Sequence, residues 1–340
     1  MTATSVTPVT LLTGFLGSGK TTLLNRLVAH PAAGDCAVIV NEFGPVAIDH
    51  ALVRTASENI VLLPSGCVCC QVAGDLVQAL RDLYFRRAAG EVPDFRRAII
   101  ETTGLADPAP LVRTLIELPL VAARYSLAGI VTTVDGTHGL AQLEAFPEAV
   151  KQAAVADRLV LTKSDLATAA QLDALEERLA ALNPGAPRLR SANGDADPAR
   201  LLDTGLHQGA GRIANPRSWL DAGVYRRIGD PPVAGHDPHV RAFAWFAEAP
   251  VDWPAFEDAL ATLLELAGER ILRVKGLVNC AGAEGPVAVH AVQHTLYPPA
   301  RLPEWPDADR RTRLVFIVRD LEESFVAHTL GSFAPAPAER

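Results

Sequence analysis

Three thiols stand within four positions at Cys67, Cys69 and Cys70, in the run Pro64-Ser65-Gly66-Cys67-Val68-Cys69-Cys70. Thiolates this close converge on one point only if the backbone turns sharply, and Gly66 permits that. Soft sulfur donors select Zn²⁺, Cu⁺ or similar ions, and three of them leave a fourth position open or filled from elsewhere. A redox dithiol and ordinary core cysteines are the alternatives. Such a cluster makes no disulfide framework for a chain of 340 residues. Cys36 and Cys280 stand apart from it and are expected to be buried small hydrophobes.

A second constellation suits phosphate. Gly14-Phe15-Leu16-Gly17-Ser18-Gly19-Lys20-Thr21 follows an apolar strand and opens a helix, which is the context a Walker A loop requires. Gly14, Gly17, Ser18 and Gly19 would wrap backbone N–H groups around the phosphates, with the helix N-terminus behind them. Lys20 would reach the β and γ phosphates, Thr21 would hold Mg²⁺, and Thr22 would lie near the α-phosphate. Glu101 emerges from the apolar run Ile99-Ile100 where Mg²⁺ or its waters would sit, and Gly104 could offer its N–H to the γ-phosphate.

The base is addressed by Leu161-Thr162-Lys163-Ser164-Asp165. A carboxylate at Asp165 accepts from guanine N1–H and the 2-amino group, a donor pair that adenine lacks, so GTP is expected over ATP. Thr162 and Lys163 belong to the same loop, and Ser191 is a candidate for the base edge. Between the phosphate and thiol motifs lies Asn41-Glu42-Phe43-Gly44. Glu42 could ligate the transition metal, contact the nucleotide or be solvated. Asp49 is the better candidate for a Mg²⁺-bound water or for orienting the attacking water, and Gly44–Asp49 would be ordered by the γ-phosphate.

These side chains need elements that end in the right places. Short apolar runs at Val9–Thr13, Ala37–Val40, Ile60–Leu63, Arg97–Ile100, Gly129–Val134 and Arg158–Leu161 read as strands. Helical periodicity marks Lys20–His30, Leu76–Arg86 and Ala167–Leu182. Alternating buried strands and helices predict an α/β domain over 1–202 with a mostly parallel sheet, whose carboxyl ends collect ligands. Periodicity fades over 203–238, which reads as a linker. A smaller α+β domain is expected over 239–335, with antiparallel strands at Val240–Phe246, Ile271–Cys280, Pro286–Gln293 and Thr312–Val318. Its helices are expected at Pro254–Ala267 and Leu321–Leu330.

Composition narrows the partners. The chain is 49% hydrophobic and 21% charged, with a formal net charge of −8 from 31 basic and 39 acidic residues. That excludes global disorder and removes the electrostatic footprint of a general nucleic-acid binder. No run of 18 apolar residues spans a membrane, and no basic leader precedes the first strand, so a cytoplasmic protein is expected, with neither nucleic-acid nor membrane partner.

Taken in order, GFLGSGKTT, NEFG with IDH, GCVCC, ETTGLADP and TKSD resemble the CobW family of metal-handling P-loop GTPases. The second domain resembles the family's C-terminal domain through Arg273-Val274-Lys275-Gly276, a strand at Val292-Gln293-His294, and Leu314–Val318. The resemblance implies a P-loop NTPase domain and a slow GTPase serving as metallochaperone or metalloenzyme activator. It would bind Zn²⁺ or Co²⁺ at Cys67, Cys69 and Cys70 in the GTP state and release the ion to a client metalloprotein on hydrolysis. A monomer or weak homodimer is expected. Two departures stand out: Thr162 replaces the usual Asn of the guanine motif, and His236 and His239, in a stretch that also has His207, stand where many relatives carry a His-rich tract. A small-molecule kinase, a GTP-gated metal store and a thiol oxidoreductase are the competing classes.

Overall fold

The computed structural model describes residues 6–31, 35–40, 61–64, 72–202, 220, 222–230 and 239–332. The chain divides into two compact units, Met1–Glu177 with Ala186–Ala210, and Arg178–Gly185 with Gly211–Arg340.

In the first unit, strands β1 (Thr7–Gly14), β2 (Cys36–Val40), β3 (Val61–Pro64), β4 (Arg97–Glu101), β5 (Tyr125–Asp135), β6 (Arg158–Thr162) and β7 (Arg188–Arg190) form one sheet. Their order is β3-β2-β4-β1-β5-β6-β7, and each pair is parallel. Continuous burial along β2 and β6 is what a sheet covered on both faces demands. Helix α1 (Lys20–Ala29) lays Leu23, Leu24, Leu27 and Val28 on Leu12, Val38, Ile99, Val131 and Val160. Helices α2 (Val72–Ala88), α3 (Ala109–Glu117), α4 (Pro119–Ala122), α5 (Gly139–Ala145), α6 (Pro147–Ala154), α7 (Ala169–Leu182) and α8 (Pro198–Leu202) supply the rest, with the division between the units falling within α7 after Glu177.

Periodicity did not reveal α3 to α6. Each is short, and α3, α4 and α6 carry Pro in the first turn, where its missing N–H costs nothing and its fixed φ suits the helix. A proline between apolar residues here marks a helix start. β5 begins at Tyr125, four residues before the apolar run suggested, because Thr7–Val9 pair with Tyr125–Leu127 ahead of a register shift.

The second unit holds β8 (Arg226–Arg227), β9 (Val240–Ala247), β10 (Ile271–Val278), β11 (Val287–Val292), β12 (Thr295–Leu296), β13 (Ala300–Arg301) and β14 (Thr312–Arg319). The order is β12-β11-β10-β14-β9-β8, with β13 also on β11, antiparallel except where β8 runs parallel to β9. It is thus a mixed sheet. Helices α9 (Trp253–Ala267) and α10 (Glu323–Gly331) cover one face, where Phe256, Leu260, Leu263, Val326 and Leu330 meet Phe243, Trp245, Val274 and Phe316. Two expectations need correction. The Val292-Gln293-His294 run is no continuous strand: β11 stops at Val292, and Gln293 turns the chain with φ of 50°. The strand drawn to Cys280 stops at Val278, and Cys280 makes an isolated bridge to Val251. Cys36 and Cys280 are buried, as small hydrophobes would be, and burial pushes the Cys36 thiol up to about 11.

Candidate nucleotide site

β1 lies between β4 and β5, so the crevice beyond its carboxyl end is bounded by both neighbours. The loop leaving β1 closes on itself through the Ser18 N–H, which donates to Phe15 O at 3.1 Å. Gly14, Gly17 and Gly19 have φ of 144°, 71° and 85°, which side-chain-bearing residues adopt only under strain. Gly14 also has no room: a Cβ there would fall 2.2 Å from Thr133 Oγ1 and 2.4 Å from the Thr133 carbonyl. Ser18 Oγ lies 2.6 Å from Thr133 Oγ1, fastening the loop to β5. Helix α1 begins at Lys20 with no side-chain cap and no acidic residue in its first turn, so its N-terminal dipole suits an anion.

Lys20 Nζ donates to Gly14 O at 3.0 Å and Phe15 O at 3.3 Å, lying back along the loop that would hold phosphate. Thr21 Oγ1 donates to Glu101 Oε1 at 2.7 Å. These two residues are 80 positions apart in sequence and meet because β4 pairs with β1, Leu12 opposite Glu101. Glu101 is only 4% exposed, so the sheet holds a carboxylate and a hydroxyl together at the mouth of the phosphate loop. Gly104 sits against the same loop: a Cβ there would lie 2.7 Å from the Leu16 backbone.

The residues expected to address the base gather at the ends of β6 and β7. Thr162 Oγ1 donates to Ser18 O at 2.6 Å, tying this strand to the phosphate loop. Lys163 has φ of 53° and its Nζ reaches Asp135 Oδ2 at 2.6 Å. Asp165 Oδ1 accepts the Asn193 N–H at 3.2 Å. Ser191 donates its N–H to Leu161 O at 2.8 Å, and its buried hydroxyl has no hydrogen-bond partner among the described residues. Gly194 brings this last loop onto Thr22, whose carbonyl and Cγ2 would stand 3.0 Å from a Cβ at 194.

Asp135 escaped the sequence reading, although it closes the apolar run of β5 at the ligand-collecting edge. Burial would raise its pKa, but bonds from Lys163 and Thr137 and from the backbone N–H groups of Thr137 and His138 prevail and hold it at about 2. Glu42, Asp49, Cys67, Cys69 and Cys70 lie outside the described residues, as does the whole Gly44–Asp49 segment. Among the described residues, no group of three or more His, Cys, Asp or Glu is placed to hold a metal ion, and no helix is long and apolar enough to cross a membrane.

Residues 8–190 match the family model described as CobW/HypB/UreG, nucleotide-binding domain, and residues 240–334 match the cobalamin synthesis protein cobW C-terminal domain. The chain belongs to the CobW family of P-loop GTPase metallochaperones. It is 33% identical over 315 residues to the zinc chaperone YjiA of Escherichia coli, covering 93% of this chain and 95% of that protein. A zinc chaperone CobW of Pseudomonas aeruginosa is 29% identical, covering 95% and 90% respectively. The crystal structure of Zn(II)-bound YjiA GTPase from E. coli superposes with a TM-score of 0.72 at 27% identity, over 97% of this chain and 99% of that one. CobW-family membership agrees with the observed layout, a parallel P-loop domain and a smaller mixed-sheet domain. A nucleotide-hydrolysing activity in general goes with that fold.

Proposed function

We propose that the chain is a slow GTPase that carries Zn²⁺ or Co²⁺ to a client metalloprotein, taking up the ion in its GTP state and releasing it on hydrolysis. The observation that carries this reading is the 2.7 Å bond between Thr21 and Glu101. A hydroxyl and a buried carboxylate, held together beside a phosphate loop, form an oxygen donor set that suits Mg²⁺. Thr21 and Glu101 would hold that ion, with Asp49 orienting a water. When bound there, Mg²⁺ would supply positive charge against the charge that builds on the phosphates. Lys20 would swing from Gly14 and Phe15 onto the same oxygens, and the backbone of Gly14, Gly17, Ser18 and Gly19 would wrap them. Asp165 would select guanine, with Lys163 beneath the base and Ser191 offering its hydroxyl to the base edge. Thr162 keeps a hydroxyl bond to Ser18 of the phosphate loop but lacks the paired donor and acceptor of an amide.

The cargo ion would bind Cys67, Cys69 and Cys70, with Glu42 as the fourth ligand. Topology supports coupling. β2 and β3 are hydrogen-bonded neighbours ending at Val40 and Pro64, with Val40 also opposite Glu101. Glu42 and Cys67 stand two and three residues farther along the chain. One rearrangement at this edge could therefore report the nucleotide to the thiolates. A competitive metal titration tests it. With a non-hydrolysable GTP analogue and Mg²⁺, metal affinity should exceed that with GDP by roughly 5- to 150-fold. Cys69→Ser should abolish most of the thiolate-to-Co²⁺ charge-transfer band and keep GTP binding. Equal affinity in both nucleotide states would remove the chaperone mechanism. Acceptor-dependent transfer of phosphate would make the chain a kinase, and binding of both ligands without phosphate release would make it a metal store.

A further inference from the structure

The turn that carries Gly104 is held from behind by α6. The Ala106 N–H donates to Thr103 O at 3.1 Å, so residues 103–106 form a β-turn whose middle peptide joins Gly104 to Leu105. Gln152, 1% exposed on α6, donates from Nε2 to the carbonyl oxygens of Gly104 at 3.2 Å and Ala106 at 3.0 Å. Two carbonyl acceptors can be met only by the amide nitrogen, so the network fixes which way the amide faces. The backbone carbonyl of Gln152 accepts from Thr132 Oγ1 at 2.8 Å, which seats the residue on β5. One position earlier, Lys151 Nζ meets Asp107 Oδ2 at 3.1 Å, while Asp107 Oδ1 accepts the Ala109 N–H that opens α3. Consecutive residues of α6 thus hold the whole segment from Gly104 to Asp107.

A buried amide needs a reason. Gln152 Oε1 has no hydrogen-bond partner among the described residues, and Gln152 borders a small cavity with Phe15, Thr133 and Gln142. The polar work of this side chain is therefore the pair of bonds to the turn. Those bonds set an orientation. The peptide is trans, so a Gly104 carbonyl turned toward Gln152 leaves the Leu105 N–H on the opposite side. In a β-turn the middle peptide can rotate as a unit, exchanging the directions of its C=O and N–H; the flipped form needs a positive φ at the third residue, which Leu105 resists, so the bonds from Gln152 add to that steric preference. A flipped peptide would carry its carbonyl oxygen away from α6, and a carbonyl repels phosphate where an N–H attracts it. Gly104 is packed against the Leu16 backbone, so this peptide borders the phosphate loop itself.

We propose that Gln152 is a positioning residue for triphosphate recognition, holding the Gly104–Leu105 peptide in one orientation and so setting how well the chain tells GTP from GDP. The proposal rests on the turn at Gly104 as the γ-phosphate contact; the N–H that this middle peptide presents is that of Leu105, next in the chain to the Gly104 N–H. Gln152 touches no phosphate itself; it acts through the turn. The test is calorimetric titration of the full chain with GDP and with a non-hydrolysable GTP analogue, both with Mg²⁺. Gln152→Met keeps the length and burial but removes the donor. Its GDP affinity should stay within about twofold, while affinity for the analogue falls about tenfold, the worth of two neutral hydrogen bonds. Gln152→Glu, which keeps the shape and a polar group, repeats the test should the apolar variant fold poorly; a charged carboxylate facing two carbonyls should lose at least as much. Equal weakening for both nucleotides would reduce Gln152 to a packing role and overturn the proposal, as would unchanged binding of both. A wild-type chain that binds neither nucleotide would sink the GTPase reading itself, and this proposal with it.

Discussion

At the scale of single residues, the site depends on polar groups that are satisfied only by distant partners. Thr162 is the clearest case, since its hydroxyl donates to the Ser18 carbonyl in a loop 144 positions away. Asp135 is another, receiving Lys163, Thr137 and two backbone N–H groups at once. Its carboxyl is held at about 2, below its ordinary 3.8. A depressed folded-state pKa stabilises the fold above the unfolded value, and that contribution disappears as pH falls through the folded one. The wild type should therefore be more stable than Asp135→Asn at pH 6, and the gap should close between about pH 4 and pH 2. Urea denaturation of both proteins across that range measures it. A gap that persists at pH 2 would mean that packing, not charge, is what Asp135 supplies.

At the scale of elements, the phosphate loop shows how two glycines in one motif answer to different constraints. Gly14 has both a φ of 144° and a Cβ position inside the Thr133 contact shell. Gly17 has a φ of 71° and nothing within 4 Å of a Cβ. Gly14→Ala should cost about 2–5 kcal/mol, adding overpacking to backbone strain, and should abolish nucleotide binding. Gly17→Ala should cost about 1–2 kcal/mol, the left-handed penalty alone. Thermal melts with and without GTP would separate the two. Similar losses for both would show that the β1–β5 contact yields more readily than its geometry suggests. The same β5 positions Thr133 against Ser18 and Asp135 against Lys163, so one strand fastens both loops.

At the scale of the whole molecule, coupling is reciprocal. If GTP tightens the cargo ion by some factor, the ion must tighten GTP by the same factor. GTP-analogue affinity measured with and without Zn²⁺ should therefore change by the ratio found in the metal titration, within the same 5- to 150-fold range. In Cys69→Ser the zinc effect on GTP should vanish while GTP binding itself stays. Two factors that disagree would mean that the ion also binds at a second place. The net charge of −8 sets no obstacle to a cationic cargo.

Much of this is legible in the amino-acid sequence. Gly14 to Thr21 names its chemistry because a phosphate loop is local: its glycines, lysine and following helix are contiguous, and backbone conformation does the work. The parallel sheet was legible for a similar reason, since strands buried on both faces leave unbroken apolar runs such as Cys36–Val40 and Leu159–Leu161. Glu101 could be nominated from its place after Ile99-Ile100, but nothing in the sequence says which strand lies beside which. Only the β4–β1 pairing puts its carboxylate on Thr21. The short proline-led helices stayed hidden because each spans too few turns to show a period. Gln152 stayed hidden within one of them, as an ordinary polar residue whose role exists only once α6 lies behind the Gly104 turn. Local chemistry was written in residue types and spacing; which distant groups satisfy one another was decided by strand order and packing, because a hydrogen bond depends on position in space and not on separation along the chain.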